Sequence, residues 1–145
     1  MLQEDKLKNT KELMELVKTS PKLFGDIMLN PEVSDYVTLQ DYLQSLLDKH
    51  GFSVTDVVRI SLLSKSYVYQ IFSGDRMPSR DSVIRIGLAM NCDIDEIQHM
   101  LVLAQTGILY PKVRRDAAIL CCISQGFHLI DTNDFLESIE ERSLI

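Results

Sequence analysis

Apolar residues recur along most of the chain at steps of three and four positions, which is the spacing of one face of an α-helix. Alternation of apolar and polar residues over the length of a strand is nearly absent. The pattern therefore predicts an all-α chain of about seven helices. The front section, residues 1–36, carries two short apolar stripes interrupted at Pro21 and Pro31, and we predict a helical extension there.

Polar residues that can cap the start of a helix precede five of the apolar stripes that follow. They are Thr38, Ser53, Ser64, Ser79 and Asp93. Three of these residues are followed three positions later by an acid, at Asp41, Asp56 and Glu96, which is the spacing of a reciprocal cap. Gly51 fits the position just after the first of the five helices.

Two further helices are predicted towards the C-terminus. Pro111 is predicted to open the sixth helix and Gly126 to close it. The residues predicted to face inward on the sixth helix are Val113, Ala117, Leu120 and Ile123. Asp131 and Asp134 have the character of caps for the seventh.

The second and third helices are short and lie about three residues apart, within residues 53–74. In the third helix, Val68, Ile71 and Phe72 are predicted to face the core. This layout is typical of a helix-turn-helix, whose second helix can enter the major groove of DNA.

Side chains on the opposite face of the third helix are then predicted to reach base edges. The base-reading candidates are Lys65, Ser66, Tyr69 and Gln70. Lysine can donate to guanine or phosphate and glutamine can pair with adenine. The candidates for contacts to the DNA backbone are Ser53, Tyr67, Ser73, Arg76, Ser79 and Arg80. Packing is the alternative interpretation for Tyr67, and a solvated helix face is the alternative for Arg80 and the favoured interpretation for Arg85.

The formal net charge of −6 opposes nucleic-acid binding as a property of the whole chain, but the charges are unevenly placed. Residues 65–85 contain four basic and two acidic side chains. A second basic cluster, at Lys112, Arg114 and Arg115, lies where the dipole of the sixth helix does not favour cations. A phosphate or an acidic partner, or a salt bridge to Asp116 or another nearby acid, can account for that cluster.

Residues 52–97 contain a set of matching positions: Val58, Leu63, Ser64, Val68, Ile71-Phe72-Ser73-Gly74, Arg76, Pro78-Ser79 and Ile94-Asp95-Glu96. On these positions, the segment resembles the Cro/repressor-type helix-turn-helix family, often called XRE-like. The resemblance implies a lambda-repressor-like five-helix domain, which we place at residues 37–107. The helices predicted in residues 108–145 then form a C-terminal helical extension that the family's minimal domain does not explain. The resemblance also implies dimeric binding to an operator and transcriptional control.

The chain departs from the family pattern at two positions. Val54 stands where the family often has a glutamine that supports a phosphate contact, and Leu62 stands where the turn usually has a glycine. Because a left-handed conformation costs a residue other than glycine roughly 1 kcal/mol, we expect the turn at Leu62 to differ slightly from the family's turn.

Catalytic and metal chemistry find little support in the sequence. His50, His99 and His128 show no metal-ligand spacing, and no nucleophile-elbow or phosphate-loop motif occurs. The cysteines are Cys92, Cys121 and Cys122, an odd number without a CxxC, which indicates neither disulfides nor zinc. We therefore predict no cofactor, no metal and no enzymatic activity. No apolar run approaches the length of a membrane span, so a reduced cytoplasm is the expected compartment.

The leading hypothesis is a DNA-binding transcriptional regulator that acts as a homodimer on a palindromic site. Ile84, Leu88 and Leu103 have no core role in the minimal five-helix fold, so the dimer surface is predicted at the fifth helix or the flanking helices. The alternative is an antitoxin-like or adaptor module that binds a protein partner through the same fold, with weak DNA affinity. The net charge, Val54 and the aromatic third helix favour that alternative.

Overall fold

A computed structural model describes residues 38–145, and the prediction for residues 1–36 lies outside the described residues. The described part contains seven α-helices and no strand, which confirms the all-α prediction. The helices are α1 (Leu39–His50), α2 (Val54–Ser61), α3 (Lys65–Ser73), α4 (Arg80–Ala89), α5 (Ile94–Leu103), α6 (Arg114–Ser124) and α7 (Leu129–Ser138).

The first five helices begin at the caps that the sequence predicted. The side-chain oxygen of each cap accepts the backbone N–H three positions later, at 2.8–3.3 Å, in Thr38, Ser53, Ser64, Ser79 and Asp93. Asp56 and Glu96 return the bond to the N–H of their own cap residue, which completes two capping boxes. Gly51 ends α1 in a left-handed conformation with φ of 73°.

We expected the turn between α2 and α3 to differ slightly at Leu62, but its backbone keeps the left-handed conformation. Leu62 itself takes the left-handed conformation, with φ of 60°, and leaves 53% of its surface exposed. Arg85 of α4 donates to the carbonyl oxygen of Ser61 from two nitrogens, at 2.9 and 3.1 Å, and so holds the end of α2. The interpretation of Arg85 as a solvated helix face is therefore wrong.

Helix α4 runs through the centre of the described fold and packs against α2, α5 and α7. Seven of its ten residues are buried. At Gly87 a Cβ atom would lie 2.6 Å from the side chain of Ile97 and 2.8 Å from that of Met100, so α4 and α5 approach closely there. Ile84 and Leu88 belong to this core, and Leu103 is half-buried against it. The argument that placed a dimer surface at these three residues is therefore wrong.

Helix α6 begins three residues later than predicted, and a different face is buried. Val113 precedes the helix and is 49% exposed, whereas Ala117 and Leu120 are half-buried. The buried residues are Arg115, Asp116, Ala118, Ile119, Cys122 and Ile123. The buried face begins with two charged residues, which a count of apolar positions cannot assign to the core.

Those two charged residues form a crossed pair with the start of α4. Arg80 binds both carboxylate oxygens of Asp116, at 2.9 and 2.7 Å, and Arg115 binds both oxygens of Asp81, at 2.9 and 3.0 Å. Two Arg-Asp dipeptides at two helix starts thus pair reciprocally. Arg114, from the same basic cluster as Arg115, pairs with Glu141. The salt-bridge interpretation of the second basic cluster is confirmed for Arg114 and Arg115, although neither of them pairs with Asp116.

Within the described residues, no helix combines the length and the apolar character that crossing a membrane requires.

Candidate nucleic-acid interface

The outer face of α3 carries the four side chains that were predicted to read bases. Lys65, Ser66, Tyr69 and Gln70 are all exposed. On the inner face, Val68 and Ile71 are buried in the hydrophobic core, and this packing fixes the rotation of the helix. Since the side chains in the first turns of a recognition helix are the ones that meet base edges, α3 presents a polar surface of the right kind.

Tyr69 links this surface to α2. Its hydroxyl lies 3.4 Å from the hydroxyl of Thr55, and the ammonium of Lys65 lies 5.8 Å from the centre of its ring. A cation at that distance is attracted by the face of the ring. The ring therefore restrains Lys65 near the start of α3, while 43% of the surface of Tyr69 remains exposed.

Tyr67 points into the fold, which is the packing alternative. Its hydroxyl donates to the hydroxyl of Ser82 and accepts the backbone N–H of Ser79, both at 3.1 Å. The exposed Arg76 lies over the ring of Tyr67, with 5.1 Å from its guanidinium carbon to the ring centre. Tyr67 is thus placed to support Arg76 rather than to reach DNA with its own hydroxyl.

Gly74 ends α3 and sets the direction of the chain that carries Arg76. Its φ is 85°, and a Cβ atom there would lie 2.7 Å from the amide carbon of Gln40 on α1. The left-handed backbone favours glycine at this position, and the flexible side chain of Gln40 would have to shift to admit a Cβ atom. The neighbouring Ser73 donates from its hydroxyl to the carboxylate of Asp75 at 2.9 Å, so an acid lies beside this predicted backbone contact.

Ser53 and Ser79 lie at the N-termini of α2 and α4, and both are exposed. Their hydroxyls already cap those helices. At α2, the carboxylate of Asp56 also accepts the N–H of Ser53 at 2.9 Å, and the bonds from Ser53 hold the pKa of Asp56 below its usual value. An ionised carboxylate at this position repels phosphate, which makes the start of α2 a poor site for the DNA backbone.

Arg80, which was predicted to contact the DNA backbone, is instead bound within the fold. Besides the bond to Asp116, its guanidinium donates to the carbonyl oxygens of Gly107 and Ile108, at 3.2 and 2.6 Å. Only 28% of its side chain is exposed, and the hydrogen bond to Asp116 raises its pKa. Asp116 is buried and requires a cation, so this pairing takes precedence over a solvent-facing position.

Arg59 is an additional cation, which lies just before the basic segment of residues 65–85. It lies in α2 with 71% of its side chain exposed, and its only described ion-pair partner is Asp56 at 3.4 Å. Its place one turn after Asp56 was readable from the sequence as a helical i,i+3 pair. Together with Lys65 and Arg76 it gives α2, α3 and the following turn three exposed cations, against the acids Asp56 and Asp75.

The short α2, the tight turn and the outward polar face of α3 define a helix-turn-helix domain of lambda-repressor-like architecture. A family model described as helix-turn-helix matches residues 43–97. The match confirms the resemblance to the XRE-like family over those residues and indicates a DNA-binding helix-turn-helix regulator. No curated protein and no solved structure that was compared with the chain matches it.

Proposed function

We propose that the protein is a sequence-specific transcriptional regulator that binds double-stranded DNA with α3 in the major groove. The observation that carries the proposal is the exposed face of α3, with Lys65, Ser66, Tyr69 and Gln70 outward and Val68 and Ile71 buried beneath them. In this arrangement Lys65 donates to guanine or phosphate, and Gln70 makes a paired contact with adenine. Two copies on a palindromic site would place their recognition helices roughly 34 Å apart.

Contacts to the DNA backbone come chiefly from Arg76 in this proposal. Its guanidinium is exposed and supported by the ring of Tyr67, so it can meet a phosphate without first breaking an ion pair. The hydroxyls of Ser53, Ser73 and Ser79 can add weaker contacts at the same surface. Arg80 is left out because its guanidinium is bound to Asp116.

A pair of substitutions separates base reading from backbone binding. Lys65→Ala is expected to reduce the preference for the best site over random DNA by about 1–3 kcal/mol, because a base contact is lost. Arg76→Ala is expected to weaken binding to all sequences alike and to lower the slope of log K against log salt by about 1. Both are measured by titrating labelled genomic fragments at several salt concentrations.

Lys112→Ala is the matched control, since it removes an exposed cation outside the helix-turn-helix and should leave both measurements unchanged. The absence of any sequence-selective complex of the unaltered protein at low salt would contradict the proposal. Equal effects of Lys65→Ala and Lys112→Ala on site preference would contradict the role of Lys65.

A protein-binding function on the same surface is favoured by one observation. Leu62, Tyr69 and Met77 are large apolar residues before, on and after α3, and each is more than two-fifths exposed. Large exposed apolar and aromatic side chains are a feature of protein interfaces. In this second candidate the module would act as an antitoxin-like or adaptor protein with weak DNA affinity.

The two candidates respond differently to loss of apolar surface. Leu62→Ser together with Met77→Ser should leave site preference on DNA unchanged if α3 reads bases. The same change should abolish binding of a stoichiometric protein partner if the surface is a protein interface. Binding of that partner by the unaltered protein, measured by calorimetry and lost on addition of operator DNA, would show that one surface serves both.

A further inference from the structure

Three metal-binding side chains converge outside the α3 surface. The imidazole of His50, the thiol of Cys92 and the carboxylate of Glu96 have ligand atoms that all lie within 4.8 Å of one another. His50 is the last residue of α1, Cys92 precedes the cap of α5, and Glu96 lies in the first turn of α5. The sequence spacing did not reveal this group because His50 is separated from Glu96 by 46 positions along the chain.

Hydrogen bonds position each of the three residues. Cys92 donates its N–H to the carbonyl oxygen of Gly87 at 2.9 Å, in the turn between α4 and α5. Glu96 is fixed by its capping bond, in which its Oε1 accepts the N–H of Asp93 at 3.0 Å. The Nε2 of His50 lies 2.9 Å from Oε2 of Glu96, so the imidazole already faces the group. Metal sites built on such fixed positions need little rearrangement.

We propose that His50, Cys92 and Glu96 form a binding site for a divalent transition metal of the zinc class. Nitrogen, sulfur and carboxylate oxygen are the ligands that zinc takes in proteins, and three protein ligands with water in the fourth position are a common arrangement. Binding releases the thiol proton of Cys92 to solvent, so the metal coordinates a thiolate, a neutral imidazole and a carboxylate.

Burial explains why the thiol is inert without a metal. Cys92 and Glu96 are each only 6% exposed, and burial, aided by the negative charge of Glu96, raises the pKa of the thiol of Cys92. A buried thiol therefore stays protonated unless a strong positive charge stands next to it. A divalent cation supplies that charge and lowers the pKa of a thiol that coordinates it.

Two small movements complete the site. Metal–ligand bonds of about 2.0–2.3 Å in a tetrahedron place the ligand atoms roughly 3.3–3.8 Å from one another. The ligand atoms now lie within 4.8 Å of one another, and Nε2 of His50 must move away from Oε2 of Glu96, which is 2.9 Å away. The ammonium of Lys49, now 3.0 Å from Oε2 of Glu96, must give up that oxygen. The side chain of Lys49 is 63% exposed and can turn to solvent, while Oε1 of Glu96 keeps the helix cap.

The site joins the end of α1 to the start of α5. Since α1 also packs against α3, a metal here would stabilise the frame that supports the recognition helix. A ligand that binds only the folded state raises the melting temperature in proportion to the logarithm of its concentration. The inference does not depend on DNA binding, because it concerns residues outside the proposed interface.

Titration of the full chain, freed of metal with a chelator, tests the proposal. Addition of Co²⁺ is expected to give a thiolate-to-cobalt charge-transfer band in the near ultraviolet that saturates at one equivalent. Zn²⁺ should displace the cobalt and remove the band, and it should raise the melting temperature. Absence of a saturable band, or a band with no gain in melting temperature on Zn²⁺ addition, would overturn the proposal.

Variants locate the ligands. Cys92→Ala should abolish the band, while Cys121→Ser, which alters an exposed thiol on α6, should leave it intact. His50→Gln gives a second test that spares the buried thiol, and it should weaken Co²⁺ affinity by at least tenfold, whereas His128→Gln at an exposed histidine should not. Loss of the band in Cys121→Ser, or unchanged affinity in His50→Gln, would show binding elsewhere and refute the site.

Discussion

At the scale of single residues, Leu62 holds the turn of the helix-turn-helix in a conformation that costs free energy. A left-handed backbone brings the Cβ atom close to the following carbonyl oxygen, at roughly 1–2 kcal/mol for a residue other than glycine. The side chain of Leu62 recovers little of this, because more than half of its surface is exposed. The buried contacts of Ser61 and Arg85 on one side and of Val68 on the other hold the turn in place.

Leu62→Gly is therefore expected to be more stable than Leu62→Ala by about 1 kcal/mol. Both variants lose the same exposed side chain, but only glycine relieves the left-handed backbone. Urea unfolding of the two variants, followed by circular dichroism, measures the difference. Equal midpoints for the two variants would show that the turn does not strain the backbone at this position.

His99 makes the stability of the fold depend on pH. Burial lowers its pKa below the ordinary value of 6.5, although the acids Asp95, Asp93 and Glu96 oppose the shift. The neutral imidazole lies 3.4 Å from the hydroxyl of Tyr42 on α1. Because the unfolded chain takes up a proton more readily than the folded chain, this residue's contribution is complete above pH 6.5 and is lost as the pH falls through the folded pKa.

His99→Gln should consequently reduce the loss of unfolding free energy between pH 7.5 and pH 5.5. Glutamine keeps a hydrogen-bonding side chain but cannot titrate in that range. The comparison uses urea unfolding at the two pH values, with His128→Gln as the control because His128 is exposed. A pH dependence identical to that of the unaltered protein would exclude His99 as a source of the acid sensitivity.

At the scale of elements, the starts of α4 and α6 are fastened by the crossed pairs Arg80–Asp116 and Arg115–Asp81. Asp116 and Arg115 are both buried, so each needs its partner: removal of one member leaves an unpaired charge in the interior. The pairs explain why Arg80, at the first position of α4, binds Asp116 within the fold, although the sequence predicted it to contact the DNA backbone.

A double-mutant cycle on Arg80 and Asp116 tests that assignment. Arg80→Ala is expected to cost roughly 3–5 kcal/mol of unfolding free energy because it leaves the buried carboxylate of Asp116 unpaired. Asp116→Ala is expected to cost less, because the guanidinium left behind is partly exposed. The double variant should be less destabilised than the sum of the two, with a coupling of about 0.5–3 kcal/mol. Additive effects, together with a loss of DNA affinity in Arg80→Ala alone, would return Arg80 to the DNA backbone.

Sequence patterns over a few residues predicted the helices well, whereas contacts between residues distant in sequence could not be predicted. The five caps from Thr38 to Asp93 could be predicted because each cap oxygen and the backbone N–H that donates to it lie three positions apart. The buried face of α6 could not be predicted from local spacing, because the ion-pair partners of Arg115 and Asp116 lie more than 30 positions away along the chain. The same limit applies to the site: the outer face of α3 follows from helical periodicity, but the pairing of Arg80 does not.

At the scale of the whole molecule, the described residues share one hydrophobic core. It includes Val68 and Ile71 beneath α3, and also Ile119, Leu129 and Leu136 from the C-terminal helices. The sequence-based division at residue 107 follows a change in family resemblance, and a shared core gives no physical reason for the two parts to unfold separately. Family resemblance identifies the residues that match the family pattern, whereas a shared buried core identifies the residues that are expected to fold as one unit.

A core substitution in α7 should therefore loosen α3. Leu136 is fully buried, and Leu136→Ala is expected to cost roughly 2–5 kcal/mol. If the core is one cooperative unit, the opening free energy that hydrogen exchange measures at the amides of Val68 and Ile71 falls by the same amount as the free energy of global unfolding. Ile130→Ala, in the same helix but at a side chain 54% exposed, should change both by less than about 0.5 kcal/mol. Unchanged protection of the α3 amides in Leu136→Ala would instead mean that residues 108–145 unfold on their own. The stability of α3 would then be independent of the C-terminal helices.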